Sequence, residues 1–275
     1  MKIKKRKRRP RNKRGRGIYV LPNLVTTASM FCGFFAIVSS INGEFTHAAV
    51  AIMIAMICDG LDGRLARLTN TTSGFGVQYD SLADLVSFGV APSVLAFLWA
   101  LTPYGRLGWL AAFLFVACGA LRLARFNVQV GTGDKRFFTG LPIPAAAVMV
   151  AATVLFCMLL GWTEGGSYGW AILAMIYVLS FLMVSNLKYF SFKDLSLINR
   201  KSFNLLVAAV LLLILMALKP TLFLFLIMAC YVIHGPILTI AMMRKNPTEE
   251  EGGTPPVLED SPGCHPLPDG KNTLL

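Results

Sequence analysis

Long apolar stretches separated by short polar turns follow one another along almost the whole chain. Eight of them approach the length of about 20 helical residues that crosses a hydrocarbon layer about 30 Å thick. We place these stretches at residues 18–41, 45–67, 80–102, 107–128, 143–162, 167–187, 202–218 and 221–243. The pattern predicts an all-α fold, a polytopic membrane helix bundle of about eight transmembrane helices. A tight turn at Lys219 and Pro220 must join the last two, and a six-span bundle follows if that pair does not form.

The composition excludes a soluble globular protein. Of the 275 residues, 55% are hydrophobic and only 15% are charged, whereas an ordinary soluble domain carries about 25% charged residues. We expect three parts: a basic cytoplasmic arm at 1–17, one transmembrane domain at 18–245 and a cytoplasmic tail at 246–275. The tail is polar and rich in proline, which predicts disorder.

The net charge of +12 is concentrated at the start of the chain, where eleven Lys and Arg residues fall within 2–16. A basic arm of this kind could bind nucleic acid. Before an apolar span, however, it more often holds the N-terminus in the cytoplasm and contacts anionic membrane lipids, so we expect no nucleic-acid partner. The first span is too long for the apolar part of a signal peptide. An even number of spans then returns the C-terminus to the cytoplasm.

The cysteines and histidines indicate neither a disulfide framework nor a zinc site. The six cysteines stand singly without a CxxC spacing, and five of them lie inside apolar stretches. The three histidines lie away from the acidic residues described next, so catalysis by a Ser-His-Asp or Cys-His arrangement is not supported.

Four carboxylates, Asp59, Asp62, Asp80 and Asp84, are the only acidic residues within the predicted spans. Ionised groups are costly in hydrocarbon and normally face a cavity, where they hold a cation, a proton or a basic partner. Asp59 and Asp62 share one helix face, and Asp80 and Asp84 share a face of the next helix. Two carboxylate pairs can therefore meet across a hairpin. Oxygen ligands of this kind favour Mg²⁺, Mn²⁺ or Ca²⁺.

Small residues and one arginine surround the first carboxylate pair. Gly63 and Ala66 leave that helix face bare, so a ligand or a neighbouring backbone can approach closely. Arg67 adds a planar fork suited to phosphate oxygens. The pattern favours phosphoryl transfer, and a cation transporter that uses the four aspartates as its ion site is the alternative from another class.

Read in full, the motif is Asp59-Gly-Leu-Asp62-Gly63-Arg-Leu-Ala66-Arg67, then eight residues, Gly76, three residues, Asp80, three residues and Asp84. It resembles the complete signature of the CDP-alcohol phosphatidyltransferases. The resemblance implies a membrane bundle, usually of six spans, which two C-terminal spans would extend here. Members pass the phosphatidyl group of a CDP-linked lipid to an alcohol and release CMP.

The resemblance also implies roles for the motif residues. The four aspartates would hold two divalent ions, Mg²⁺ or Mn²⁺, and Asp84 would also be the catalytic base for the acceptor hydroxyl. Four further positions would bind CDP-diacylglycerol: Gly63, Ala66, Arg67 and Gly76. The active site would face the cytoplasm, and a homodimer is compatible with the family.

Flanking stretches at 21–33, 87–92, 122–127 and 138–144 resemble the bacterial branch that uses L-serine as the acceptor. This resemblance implies phosphatidylserine as the product and the bacterial inner membrane as the location. Glycerol 3-phosphate or inositol is the alternative acceptor, because the aspartate motif is shared. Arg122, Arg125 and Asn127 would bind the acceptor or a lipid phosphate. The alternatives are a positive-inside anchor for the two arginines and a helix cap for Asn127.

Overall fold

The computed structural model describes residues 20–69, 74–129, 137–162, 168–185, 187–190, 207, 210 and 218–245. Helices dominate this part of the chain, which confirms the predicted all-α class. The α-helices are α1 (Val20–Ile41), α2 (Phe45–Thr69), α3 (Gly74–Asp84), α4 (Ala91–Ala96), α5 (Arg106–Gln129), α6 (Ile143–Leu159), α7 (Gly169–Val184) and α8 (Pro220–Lys245). The basic arm at 1–17 and the tail at 246–275 lie outside the described residues.

Within the described residues, five helical segments are long and apolar enough to cross a membrane, which confirms the predicted membrane bundle. They are Leu21–Ile41, Phe45–Leu65, Gly74–Tyr104, Arg106–Val128 and Pro220–Ile237. Helices α6 and α7 are shorter but also apolar. The predicted span at 202–218 falls almost wholly outside the described residues, so the count of eight stays a prediction.

Small residues on the inside and large ones on the outside set the packing of the bundle. Helix α2 packs against α1 and α6, and it presents buried alanines such as Ala48 and Ala55. Small side chains let helix backbones approach closely. The resulting van der Waals contacts drive helix association in lipid, where no hydrophobic driving force acts between helices. On α1, Phe31, Phe34 and Phe35 are exposed and form an apolar outer surface suited to lipid.

The third span is one rod with changing helical pitch. After α3 the chain forms a π-helical turn at Leu85–Val90, then α4, a second π-helical segment at Phe97–Leu101 and a 3-10 turn at Thr102–Tyr104. Pro92 in α4 has no N–H to donate, which gives a physical reason for the hydrogen-bond ladder to change here. The first π-helical turn begins directly after Asp84.

A close contact fixes the rod against α1. The hydroxyl of Ser87 donates to the carbonyl oxygen of Ser29 at 3.1 Å, and a Cβ placed on Gly33 would lie 2.6 Å from the Cα of Ser87. Only glycine allows this approach of the two backbones. The middle of α1 is therefore held against the third span just beyond its acidic residues.

A short antiparallel pair of strands links the segment before α6 to the segment after α7. Strand β1 (Phe137–Thr139) pairs with β2 (Lys188–Phe190), with Phe138 opposite Tyr189. Gly140 follows β1 with φ of +82° and donates its N–H to Leu187 O at 2.9 Å. This positive φ favours glycine. The ladder thereby ties the start of α6 to the chain that leaves α7.

Candidate active site

The signature residues collect at one end of the bundle, where α1 and α3 begin and where α2 and α5 end. Helices α1 and α2 form an antiparallel hairpin, so the last turns of α2 lie beside the first turns of α1. Helix α3 then returns from the end of α2. Residues that are far apart in the sequence are brought together by this arrangement of helix ends.

Three of the four predicted carboxylates form a tight group. Asp59 and Asp62 from α2 and Asp80 from α3 each place one carboxylate oxygen within 4.8 Å of the others. Asp62 is buried, with 4% of its surface exposed, and the other two are half-buried. The structure thus brings the two helix faces together as the helical spacing predicts.

Asp84 lies one turn beyond Asp80 and forms a side-chain hydrogen bond with Asp59. It does not belong to the three-residue group. Asp84 thus lies at the edge of the acidic group, at the residue where α3 passes into the π-helical turn.

The three-residue group fits a divalent cation. Its donors are carboxylate oxygens, which Mg²⁺, Mn²⁺ and Ca²⁺ prefer. Oxygens bound at about 2.0–2.6 Å on opposite sides of an ion stand about 4–5 Å apart, and the observed separation of up to 4.8 Å agrees with this spacing. Three carboxylates this close repel one another unless cations or protons lie among them.

A hydroxyl group that the sequence analysis did not assign to the site also contacts the acidic residues. Thr26 on α1 donates to Asp62 Oδ2 at 2.7 Å, and the backbone N–H of Gly63 bonds to the same side chain. A signal was present in the sequence, since Thr26, Ser29 and Gly33 follow the spacing of one helix face within an otherwise apolar span.

The structure describes only part of the predicted nucleotide-binding set. Gly63 is exposed, and a Cβ added to it would meet none of the described residues within 4 Å, so the space beside it is open toward them. Gly76 is half-buried on α3. The side chains of Ala66 and Arg67 lie outside the described part of the chain, so their predicted roles stay predictions.

Of the two predicted arginines on α5, Arg122 faces the acidic group. It is half-buried and interacts electrostatically with Asp84 and with the phenol of Tyr231 on α8. Its Nε is buried and has no hydrogen-bond partner among the described residues. Arg125 is exposed. Nothing in the local sequence pattern indicated Tyr231, because it comes from a helix more than 100 positions further along the chain.

Asn127 connects α5 to α3 beside the acidic group. Its Nδ2 donates to the Oγ of Ser81 at 2.9 Å. Ser81 directly follows Asp80 in the sequence. Helix α5 continues to Gln129, so the structure does not place Asn127 as its cap. The contact holds the end of α5, and with it Arg122, against the last turns of α3.

The chain matches known proteins over most of its length. A family model described as CDP-alcohol phosphatidyltransferase matches residues 19–184, which run from the start of the described chain to the end of α7. A CDP-diacylglycerol–serine O-phosphatidyltransferase of Helicobacter pylori is 41% identical over 228 residues, covering 83% of this chain and 94% of the relative. One of the same name from Mycobacterium tuberculosis is 32% identical over 236 residues, covering 83% and 81%.

An archaeal relative extends the comparison. The archaetidylserine synthase of Methanothermobacter thermautotrophicus is 38% identical over 172 residues, covering 62% of this chain and 69% of the relative. Tyr231 on α8 lies beyond the residues that the family model matches. The matched region contains the full aspartate motif and the helices that assemble it, and the chain therefore belongs to the CDP-alcohol phosphatidyltransferase family.

Proposed function

We propose that the chain is an integral membrane enzyme that transfers the phosphatidyl group of CDP-diacylglycerol to the hydroxyl of L-serine and releases CMP. One observation carries this proposal: Asp59, Asp62 and Asp80 converge within 4.8 Å, with Asp84 bonded to Asp59, in a chain of the family. The names of the relatives support serine as the acceptor. They share serine and differ in the lipid, since one is an archaetidylserine synthase.

The proposed reaction is a direct displacement at the lipid-side phosphorus. The serine hydroxyl oxygen forms the new bond to phosphorus, the bond from phosphorus to the CMP oxygen breaks, and the hydroxyl proton passes to Asp84. A serine hydroxyl is a weak nucleophile at neutral pH, so a base at the attacking oxygen lowers the barrier. The family motif and the position of Asp84 beside the acidic group both support this role.

Arg122 supplies a reason for choosing serine. Its guanidinium interacts with Asp84, and its buried Nε lacks a partner among the described residues. A serine carboxylate bound to Arg122 would hold the serine hydroxyl close to Asp84, because only two carbon atoms of serine separate those groups. In this proposal Arg125 and Asn127 complete the acceptor side, where they bind the acceptor or the lipid phosphate.

Two divalent ions, Mg²⁺ or Mn²⁺, are the proposed cofactors. Asp59, Asp62 and Asp80 would hold the first, and Asp84 would join them at the second. When bound, the ions would neutralise charge on the diphosphate and on the departing CMP. Gly63, Ala66 and Gly76 would leave room for the cytidine nucleotide and Arg67 would hold its diphosphate, which the open space beside Gly63 supports.

The arrangement of helix ends supports a cytoplasmic active site. The acidic group lies at the end of the bundle where α1 begins, directly after the basic arm at 1–17. The positive-inside rule holds that arm in the cytoplasm, where it would contact anionic lipids. We therefore propose that the protein lies in the bacterial inner membrane with both termini in the cytoplasm. The proposed assembly is a homodimer.

The test is an acceptor panel with purified protein in detergent. CDP-diacylglycerol is supplied with serine, glycerol 3-phosphate or inositol, with and without Mn²⁺, and the lipid product is identified by mass spectrometry beside CMP release. We expect phosphatidylserine, formed only when metal and serine are both present. Faster turnover with glycerol 3-phosphate would reject serine and leave the family unchanged. Absence of CMP release with every acceptor would reject the enzymatic proposal in favour of a cation transporter.

A further inference from the structure

Two neighbouring threonines on α1 bond to two different helices. Thr26 is buried and donates to Asp62 Oδ2 on α2 at 2.7 Å. Thr27 is exposed, lies 2.8 Å from the phenol oxygen of Tyr79 on α3 and donates to the Asn23 carbonyl oxygen at 2.7 Å. The two residues share a side-chain type and a helix turn, and only Thr26 contacts a carboxylate of the acidic group.

The Thr26 hydroxyl has one hydrogen and two acceptors within range. Asp62 Oδ2 is 2.7 Å away and the carbonyl oxygen of Pro22 is 3.2 Å away. The shorter distance lies in the range of charge-assisted bonds from a hydroxyl to a carboxylate. The hydrogen therefore points mainly to Asp62, and the carboxylate accepts a strong bond on one of its two oxygens.

Thr26 cannot readily follow a moving carboxylate, because the same face of α1 is fixed further along. Ser29 donates to the Ala55 carbonyl oxygen of α2 at 3.0 Å, and Ser87 of the third span donates to Ser29 O at 3.1 Å. These bonds fix the height and rotation of α1 between its two neighbours. They also fasten α1 to α2 independently of Thr26, so the helix pair does not depend on the bond to Asp62.

We propose that Thr26 is a positioning residue that orients Asp62, so that its other oxygen faces Asp59 and Asp80, and that this orientation sets the affinity of the acidic group for a divalent cation. This inference rests on the proposed function, in which the three carboxylates hold metal. Two donors, the Thr26 hydroxyl and the Gly63 N–H, bond to the Asp62 carboxylate, and its remaining lone pairs are left for the cation. Partners of this kind, which bond to metal ligands, typically change metal affinity by about 10- to 100-fold when they are lost.

The test measures Mn²⁺ binding to the full-length protein in detergent by calorimetry. Thr26→Val removes the hydroxyl at nearly constant shape, Thr26→Ser keeps it, and Thr27→Val is the matched control one residue along the same helix. We expect Mn²⁺ affinity to fall about 10- to 100-fold in Thr26→Val and to stay close to wild type in the other two. CMP release by Thr26→Val should recover when Mn²⁺ is raised, because the metal requirement changes and turnover at saturation does not.

A purely structural role would give a different result. It would lower the unfolding temperature of metal-free Thr26→Val without changing the Mn²⁺ affinity of the folded protein, and that result would overturn the inference alone. Equal losses of affinity in Thr26→Ser and Thr26→Val would overturn it too. Absence of Mn²⁺ binding in the wild type would overturn the proposed metal site as well. If Thr26→Val does not fold, Thr26→Cys, a weaker donor, should bind Mn²⁺ less tightly than Thr26→Ser.

Discussion

Replacing Asp84 by Asn removes the proposed base and leaves unchanged the three carboxylates that would hold the first ion. The amide has nearly the same size, and its Nδ2 can donate to Asp59, so the side-chain hydrogen bond seen between these residues can be kept. The amide cannot accept the serine proton. Asp84 also lies outside the group formed by Asp59, Asp62 and Asp80, so their arrangement should survive the substitution.

The expected loss is one of turnover. General-base catalysis contributes about 10²- to 10⁴-fold, which corresponds to about 2.7–5.4 kcal/mol of transition-state stabilisation. We therefore expect at least a hundredfold fall in CMP release for Asp84→Asn. Serine binding should not weaken, because Arg122 loses an opposing charge and keeps its own. CDP-diacylglycerol binding should largely remain, since the three grouped carboxylates are unchanged.

The assay measures initial rates of CMP release at saturating CDP-diacylglycerol and serine, beside the unfolding temperature and Mn²⁺ binding of each variant. Glu44→Gln is the matched control. Glu44 lies in the α1–α2 turn at the opposite end of the bundle, where it is exposed and pairs with His47 at 3.3 Å. Turnover of Asp84→Asn within a few-fold of wild type would remove the base assignment. An equal loss in Glu44→Gln would show that the effect is not local to the site.

Four further substitutions or deletions test other parts of the structure. Asp59→Ala should lower both Mn²⁺ affinity and turnover, measured by calorimetry and CMP release, because it removes a charged ligand from the three-residue group. Arg122→Gln should raise the KM for serine by about 10- to 100-fold, the value of a lost charged hydrogen bond. Gly33→Ala should destabilise the protein by about 1–3 kcal/mol in thermal unfolding, since its Cβ would clash with the Ser87 backbone. Deletion of 2–16 should weaken binding to anionic vesicles in a flotation assay and preserve activity in detergent.

Each of these has a result that would contradict it. Unchanged Mn²⁺ affinity in Asp59→Ala would remove that residue from the metal site, and an unchanged serine KM in Arg122→Gln would leave only an anchoring role. Gly60→Ala is the control for packing, because a Cβ there meets no described residue within 4 Å. Equal destabilisation of Gly33→Ala and Gly60→Ala would refute the close-approach argument. Complete loss of detergent activity in a folded deletion of 2–16 would make the arm part of the site.

The sequence by itself determined the class of fold and the membership of the acidic group. Lipid offers no hydrogen-bond partners to backbone N–H and C=O groups. Apolar stretches of membrane-spanning length therefore fold as helices, which pair these groups internally. Within one helix the period of 3.6 residues fixes which side chains share a face. Helical spacing alone therefore pairs Asp59 with Asp62 and Asp80 with Asp84, and a short turn leaves few ways for the two faces to meet.

Only the tertiary structure decided how the neighbouring helices surround that group. The bond from Thr26 to Asp62 spans 36 positions in the sequence, and Tyr231 reaches Arg122 from another helix. Such contacts depend on the rotation and crossing of helices, which arise from many small packing choices, among them the contact of Gly33 with Ser87. Helical periodicity specifies the faces of each helix separately, and it is the packing between helices that selects which faces meet and at what height.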